Sequence, residues 1–280
     1  MERKPYPSDL TDEQWEIIAP LMPPARPRGR GREVDLRQVM NTLLYMSRTG
    51  CQWAFLPHDL LPKSTVWDYF DAWKKDGTWQ RLLDALRRRV RTEAVPPRQE
   101  DPSAACIDTQ SVPTHHQGNQ STVDGGKKVK GRKRHIVVDT MGLLLAAAVT
   151  GAALHDGRSA PEVLGELDEQ TKRRLEVIFA DTKYRTEPLD QWILERGEKY
   201  RMEVVSRPSS NEFKVIRKRW VVERTYAWMG WNRWLSKDYE RTTTSGEAWM
   251  KVAMIHLMLN RLKPIKQNKS SPEFKYRSVS

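Results

Sequence analysis

Three acidic residues, Asp108, Asp181 and Glu223, stand where the chain could assemble a metal-dependent site. Asp108 closes a short apolar run, Ala104 to Ile107, and Asp181 closes another, Val177 to Ala180. Glu223 lies inside a long helix-patterned stretch from about Phe213 to Leu235. Carboxylates brought to one point repel one another and lose hydration, so divalent cations normally hold such a group together. Two magnesium ions about 4 Å apart, or manganese in their place, could activate a water or a 3′-hydroxyl against a phosphodiester. No side-chain nucleophile is then needed. Singly, each acid has an ordinary reading: an aspartate ending a strand is often a turn residue or a helix cap, and a helical glutamate is usually solvated. Their joint meaning depends on elements that would bring them together.

The first hundred residues read as helical. Ser8 or Thr11 can cap a helix running to Leu21 and stopping at Pro23-Pro24, and a basic Gly/Pro-rich loop, Arg26 to Arg32, follows. Apolar residues recur from Leu36 to Met46 at helical spacing and stop near Gly50. Ser64 is expected to cap a helix carrying Val66, Trp67, Phe70 and Trp73, whose aromatic rings read as core. The next helix sets Trp79, Leu82, Leu83, Leu86 and Val90 against Arg81, Arg87, Arg88, Arg89 and Arg91. Short helices, tight turns and exposed cations resemble a helix-turn-helix module, although a small hydrated bundle would show the same pattern.

Pro96-Pro97 and Pro102 mark a linker, and the chain then changes character. Arg134 to Val138 and Leu143 to Val149 read as a hairpin joined at Thr140-Met141-Gly142. Helical patterning over Ala160 to Arg174, the strand before Asp181, a helix from Pro188 to Arg196, a strand from Met202 to Val205, and helices around Glu223 and from Glu247 to Leu262 complete the order. This fits an α/β ribonuclease-H-like mixed sheet flanked by helices, preceded by an all-α region. The expected division is 1–95 helical and DNA-binding, 96–103 linker, 104–264 catalytic, and 265–280 a basic flexible tail. In such a fold the first and fourth strands lie side by side, so both aspartates emerge at one edge and a late helix can lay Glu223 beside them.

The formal net charge is +12 and the pI about 9.7, which points to a polyanionic partner. Residues 1–100 carry 17 basic and 14 acidic side chains and residues 101–280 carry 31 and 22, so the surplus sits with the presumptive sheet. Mean hydropathy of −0.72 and the lack of any run of about 18 apolar residues argue against a membrane span. A charged start without an apolar core argues against a secretory signal, and the expected location is the cytoplasm. Cys51 and Cys106 read as two buried thiols rather than a disulfide or a metal site. His115, His116, His135 and His155 lack the spacing of a zinc site.

Several separated blocks carry a family resemblance. Asp108-Thr109-Gln110-Ser111-Val112, Asp124 to His135, Val138 to Leu143, and Phe179-Ala180-Asp181 with Tyr184-Arg185 resemble blocks of insertion-sequence family 5 transposases, bacterial enzymes of the DDE type. Trp220 to Trp228 with Ser236-Lys237-Asp238-Tyr239-Glu240 is similar to the block around that family's third acid. Leu10 to Trp15 and Arg48-Thr49-Gly50-Cys51-Gln52-Trp53 are similar to its front region. The resemblance covers nearly the whole chain in order. It implies an endonuclease and strand transferase that binds the inverted ends of a mobile element, cuts double-stranded DNA with Mg2+ and joins the freed 3′ ends to target DNA, with Asp108, Asp181 and Glu223 as catalytic metal ligands. Work on two ends at once implies a homodimer or a higher assembly. Thr182-Lys183 stands where the family usually has a glycine-bearing turn, and Trp231 and Trp234 where arginines are usual in the Glu223 helix.

The expected DNA contacts are the run Lys127, Lys128, Lys130, Arg132, Lys133 and Arg134, six cations in eight residues, with Arg219, Arg224, Arg233 and Lys237 around the third acid. Asp139 and Asp156 are weaker competitors for a catalytic role. Two other functions share parts of the pattern: a catalytically weakened, transposase-derived DNA-binding protein, and another ribonuclease-H-fold nuclease that cuts without joining.

Overall fold

In the computed structural model, which describes residues 3–24, 33–114, 119–205 and 220–264, capping chemistry sets most helix ends. The Thr11 hydroxyl accepts from the Gln14 N–H while the Gln14 side chain accepts from the Thr11 N–H, which starts α1 (Asp12–Ile18). A 3-10 turn, Ala19–Leu21, replaces the last turn expected of that helix. Asp35 caps α2 (Leu36–Thr49), and Gly50, at φ 71°, ends it in the left-handed conformation that glycine adopts without cost. α3 (Lys63–Lys75) begins after Pro62 with no side-chain cap, so Ser64 lies inside the first turn rather than before it. The expectations for the loop 26–32, for His115 and His116, for Arg219 and for the tail 265–280 lie outside the described residues.

α4 (Thr78–Thr92) departs from the sequence reading in a useful way. Arg87 is fully buried and reaches Asp84, Asp101 and Asp168, while Arg88 bonds Asp101 and Asp168, and Arg91 pairs with Asp139. Of the five arginines expected on an exposed face, Arg91 therefore ties the helical region to β3, and Arg87 and Arg88 tie it to the connection before β1 and to Asp168. Arg91 also donates to the Gln99 carbonyl and accepts from the Arg98 N–H, so the proline-rich connection is pinned along its length.

Six strands form one mixed sheet: β1 (Ala104–Pro113), β2 (Thr122–Asp124), β3 (Val129–Asp139), β4 (Leu144–Gly151), β5 (Val177–Ala180) and β6 (Arg201–Val204). The order is β2-β3-β1-β5-β6, with β4 taking the stretch of β3 beyond β2. β1 pairs antiparallel with β3 and parallel with β5, which in turn is parallel to β6. β1 runs on past Asp108, which is therefore a mid-strand residue, and β2 is an addition to the expected strands. The single helix expected over residues 160–174 is two, α5 (Asp156–Gly165) and α6 (Glu169–Arg174), because Asp168 accepts N–H bonds from Gln170 and Thr171 and restarts the chain as a new helix. α7 (Glu187–Glu195) joins β5 to β6.

Of the long helix expected around Glu223, the described part is α8 (Trp220–Gly230), which ends before Trp231; a 3-10 turn, Arg233–Ser236, follows, then α9 (Thr243–Leu262), capped by Thr242. Alternation along the strands sorts side chains to two cores. Cys106, Ile136, Val138 and Phe179 face α8, α9 and the N-terminal helices in one continuous cluster; Ala105, Ile107, Val137, Ile178 and Ala180 face α5 and α7 in another. α9 is buried on nearly all sides and packs against both α4 and β4. The architecture is thus a ribonuclease-H-like mixed sheet between helical layers, with an all-α N-terminal region sharing the core of one face. Among the described residues no helix is long and apolar enough to cross a membrane.

Candidate active site

β1 and β5 run in register, with Ala104 opposite Val177 and Cys106 opposite Phe179. Asp108 continues β1 two residues past the last paired position, and Asp181 is the first residue past β5, its backbone still extended (φ −75°, ψ 164°). Alternation gives both aspartates the face of Cys106 and Phe179, the face that α8 covers. The Asp108 carboxylate accepts from the Thr109 N–H at 2.8 Å and that of Asp181 from the Thr182 hydroxyl at 2.8 Å.

Four hydrogen bonds from three residues fasten α8 to β1, to β3 and to the turn after β3. The Tyr226 hydroxyl lies 3.0 Å from the Asp108 carbonyl and 2.7 Å from that of Arg134, bridging β1 and β3. Arg224 donates to the Met141 carbonyl and Thr225 to that of Gly142. Gly142, at φ 79°, lies so near that a Cβ there would stand 2.8 Å from both the Thr225 hydroxyl and the Trp228 ring. Burial, then the neighbouring Asp108 charge, pushes the Tyr226 phenol well above its ordinary value, so it stays protonated and can donate. Glu223 is exposed, three residues before Tyr226 and so one turn away on the same helix face. Among the described residues no three His, Cys, Asp or Glu side chains converge closely enough to hold a metal ion. One acid thus lies within β1, the second just past the end of the adjoining β5, and the third on the covering helix, open to solvent.

A support layer lies behind the aspartates that the sequence reading had not identified. Asp156, at the start of α5, is buried and meets Lys133 at 2.8 Å and Lys183 at 3.5 Å. Burial raises its carboxyl, but the Lys133 hydrogen bond and the two ammonium charges bring it below its ordinary value. Because Lys183 follows Asp181 by two residues, Asp156 ties down the turn leaving β5, and Gly157 lets that turn approach to where a Cβ would meet the Lys183 carbonyl at 2.8 Å. This turn is a 3-10 helix, Thr182–Tyr184, with no positive φ, so it has no need of the glycine expected there. Asp139 is buried, paired with Arg91, and closes the β3–β4 turn by accepting from Met141 and Leu143, which leaves it a structural role.

The expected DNA contacts divide sharply. Lys127, Lys128 and Lys130 are exposed at the β2–β3 turn. Arg132, Lys133 and Arg134 are buried: Arg132 pairs with Asp238, Lys133 with Asp156, and Arg134 donates to the carbonyls of Leu235 and Lys237. Their charge is spent within the protein. Arg224 is half-buried between the Trp220 and Trp228 rings, Arg233 is exposed, and Lys237 is half-buried. Trp231 and Trp234 lie beyond α8; Trp231 is exposed, but Trp234 is buried with its Nε1–H on Glu240, so it stands in the core and offers no base-stacking face beside Glu223. Of the two thiols, Cys106 is buried and Cys51 half-buried.

Residues 99–258, from just before β1 to near the end of α9, match the family described as "Transposase DDE domain". The chain belongs to the DDE transposases. Residues 10–83 of this transposase match a second family, described as "Putative transposase of IS4/5 family", so both the helical region and the sheet fall in insertion-sequence lineages. It is 30% identical over 145 residues, 49% of its length and 67% of the relative's, to the "Putative transposase for insertion sequence element IS402" of Burkholderia cepacia. An "Insertion element IS402 uncharacterized 16.2 kDa protein" from the same organism is 33% identical over 109 residues, 37% of this chain and 71% of the relative. An uncharacterized protein, y4sN, of Sinorhizobium fredii is 31% identical over 84 residues, 30% of this chain and 67% of the relative. A DDE transposase domain implies a metal-dependent nuclease and transferase acting on DNA.

Proposed function

We propose that this transposase binds the inverted ends of its element, cuts phosphodiester bonds there and transfers the freed 3′ ends to target DNA, with Asp108, Asp181 and Glu223 as its metal ligands. The observation that supports this most is the parallel pairing of β1 with β5, whose chains run on to Asp108 and Asp181 on the face covered by the helix bearing Glu223. The donor set, three carboxylates, suits Mg2+, with Mn2+ able to substitute, because hard cations prefer oxygen. Bound there, a pair of such ions would supply Lewis acidity to the attacking and leaving oxygens. The chain's own contribution is placement: the Tyr226 bridge holds α8 on β1, and Asp156 holds the turn after Asp181. Glu223, exposed on the rim, would turn inward as DNA closes the site. Exposed Lys127, Lys128, Lys130 and Arg233 would contact phosphates of double-stranded DNA, and a dimer or a higher assembly would hold two ends.

Asp108→Asn, Asp181→Asn and Glu223→Gln are each expected to bring Mg2+-dependent nicking of a duplex carrying the element ends to background while leaving gel-shift affinity near that of the unmodified chain. Nicking at the unmodified rate in any one removes that residue from the site. The solvent-open position of Glu223 favours a second reading, a catalytically weakened DNA-binding descendant. An unmodified chain that shifts the duplex but yields neither nicked nor joined product would establish it.

A further inference from the structure

Two blocks that carry the family resemblance have no part in the catalytic proposal, and the fold brings them together. Gly50 to Trp53, after α2, meets Tyr239-Glu240, before α9, across a cleft of about 1140 Å³. Trp53, Trp67, Trp234 and Tyr239 line it; Trp53 stands edge-on to Trp67 (5.5 Å) and Trp234 (6.4 Å). Trp67 and Tyr239 are each 40% exposed and form the rim. Glu240 lines it from within, nine-tenths buried, with Oε1 accepting from Trp234 Nε1–H at 2.9 Å, its N–H donating to Asp238 and its carbonyl accepting from Arg132 at 2.8 Å. Exposed Arg241 adds a cation to the wall, beside Lys74, which is bonded to Ser245 and paired with Asp71 of the same wall at 2.8 Å.

We propose that this cleft receives one unpaired nucleobase of a DNA strand, stacked on the rim rings of Trp67 and Tyr239 with its amino edge toward Glu240. The proposal rests on the reading above that DNA is the substrate. Aromatic faces accept any base, cations beside them suit the flanking phosphates, and a fixed acceptor at the floor favours bases with an exocyclic amino group over thymine. Burial raises the Glu240 carboxyl to about 7, so its ionised, purely accepting form, on which this preference depends, gains as pH rises above neutrality. The site is separate from the acids. Thr114, at the far end of β1, bridges to Asp238, and six strand residues from Asp108 span about 20 Å, roughly six nucleotides along one strand.

The test measures fluorescence anisotropy of the full chain with oligodeoxyadenylate and oligothymidylate of about twelve nucleotides and with a blunt duplex. Trp67→Ala and Tyr239→Ala, being at the rim, are expected to keep the melting temperature and the duplex affinity but to weaken oligodeoxyadenylate binding about tenfold. Glu240→Leu is expected to erase the preference for oligodeoxyadenylate over oligothymidylate. Rim variants that leave single-strand binding intact, or weaken single strand and duplex equally, overturn the proposal, as does a rim variant that alters only self-association in sedimentation. An unmodified chain that holds duplex but no single strand overturns the pocket alone; one that holds neither overturns the functional reading with it.

Discussion

Lys127 to Lys130 and Arg132 to Arg134 are neighbours in one strand-and-turn segment, equally basic, and opposite in physical role. The lysines stand in water at a turn, where each charge is fully hydrated and available to a polyanion. The three cations that follow are buried, and each has found a carboxylate or carbonyl of its own. Between them lies Gly131, where a Cβ would overlap the Val112 carbonyl, so β3 is pressed against β1 there. The difference shows that a count of cations fixes the sign of a surface only after the strand pairing is known. A buried cation costs several kcal/mol in lost hydration and is kept only with good partners.

The largest expected effect follows from that cost. Arg132→Ala would strand Asp238, whose side chain is also fully buried, and leave the carbonyls of Asn119, Glu240 and Arg241 short of a donor. Breaking a buried pair from one side costs about 3–5 kcal/mol. The urea midpoint should fall accordingly, and a midpoint that does not move would mean that water replaces the guanidinium. The same substitution at Lys127 should leave the midpoint in place, which makes the pair a direct measure of the contrast.

Glu240 offers a second, smaller test on the buried side. Its carboxyl is raised to about 7 by burial first, with the Asp238 charge adding to this and the Trp234 N–H and Lys74 opposing it. A raised carboxyl favours the folded state in its neutral form, so this contribution is complete below the ordinary value near 4.5 and is lost as pH rises through about 7. The expected loss is about 3 kcal/mol between those limits. Urea unfolding at pH 5 and pH 8 should show the decline in the unmodified chain, and Glu240→Gln should flatten it. A decline of equal size in the variant would assign the effect to another group.

The contrast also marks what the sequence could and could not convey. Breakers and apolar runs act over a few residues, so Gly50 marked the end of α2 and the runs before Asp108 and Asp181 marked the starts of β1 and β5. Partnerships made across the fold left no local trace. Arg87 reaching Asp168 and Tyr226 bridging two carbonyls depend on residues more than 80 positions apart, and Asp168 restarts a helix as a cap within an unbroken helical pattern. Trp234 misled for the same reason: its spacing from Glu223 suited a continuing helix, but α8 stops at Gly230 and the ring turns inward onto Trp249 at 4.9 Å. The apolar runs before Asp108 and Asp181 were legible because they are local, but that β1 continues past Asp108 depends on its pairing with β3, and whether Glu223 closes on the aspartates depends on long-range packing.

The smallest effect on stability and the clearest on DNA belong to the exposed half of the run. Lys127→Ala, Lys128→Ala and Lys130→Ala combined remove no buried contact, so the unfolding free energy should stay within about 0.5 kcal/mol per site. If each lysine neutralises one phosphate, three fewer counterions are released on binding. The plot of log affinity for duplex DNA against log salt should then become shallower by about 3, with little dependence on sequence. An unchanged slope would mean that the turn projects away from the duplex. The basic surplus would then have to act through other cations, with Arg233 and the arginines of α4 left at the surface, Arg81 and Arg89, next to be tested.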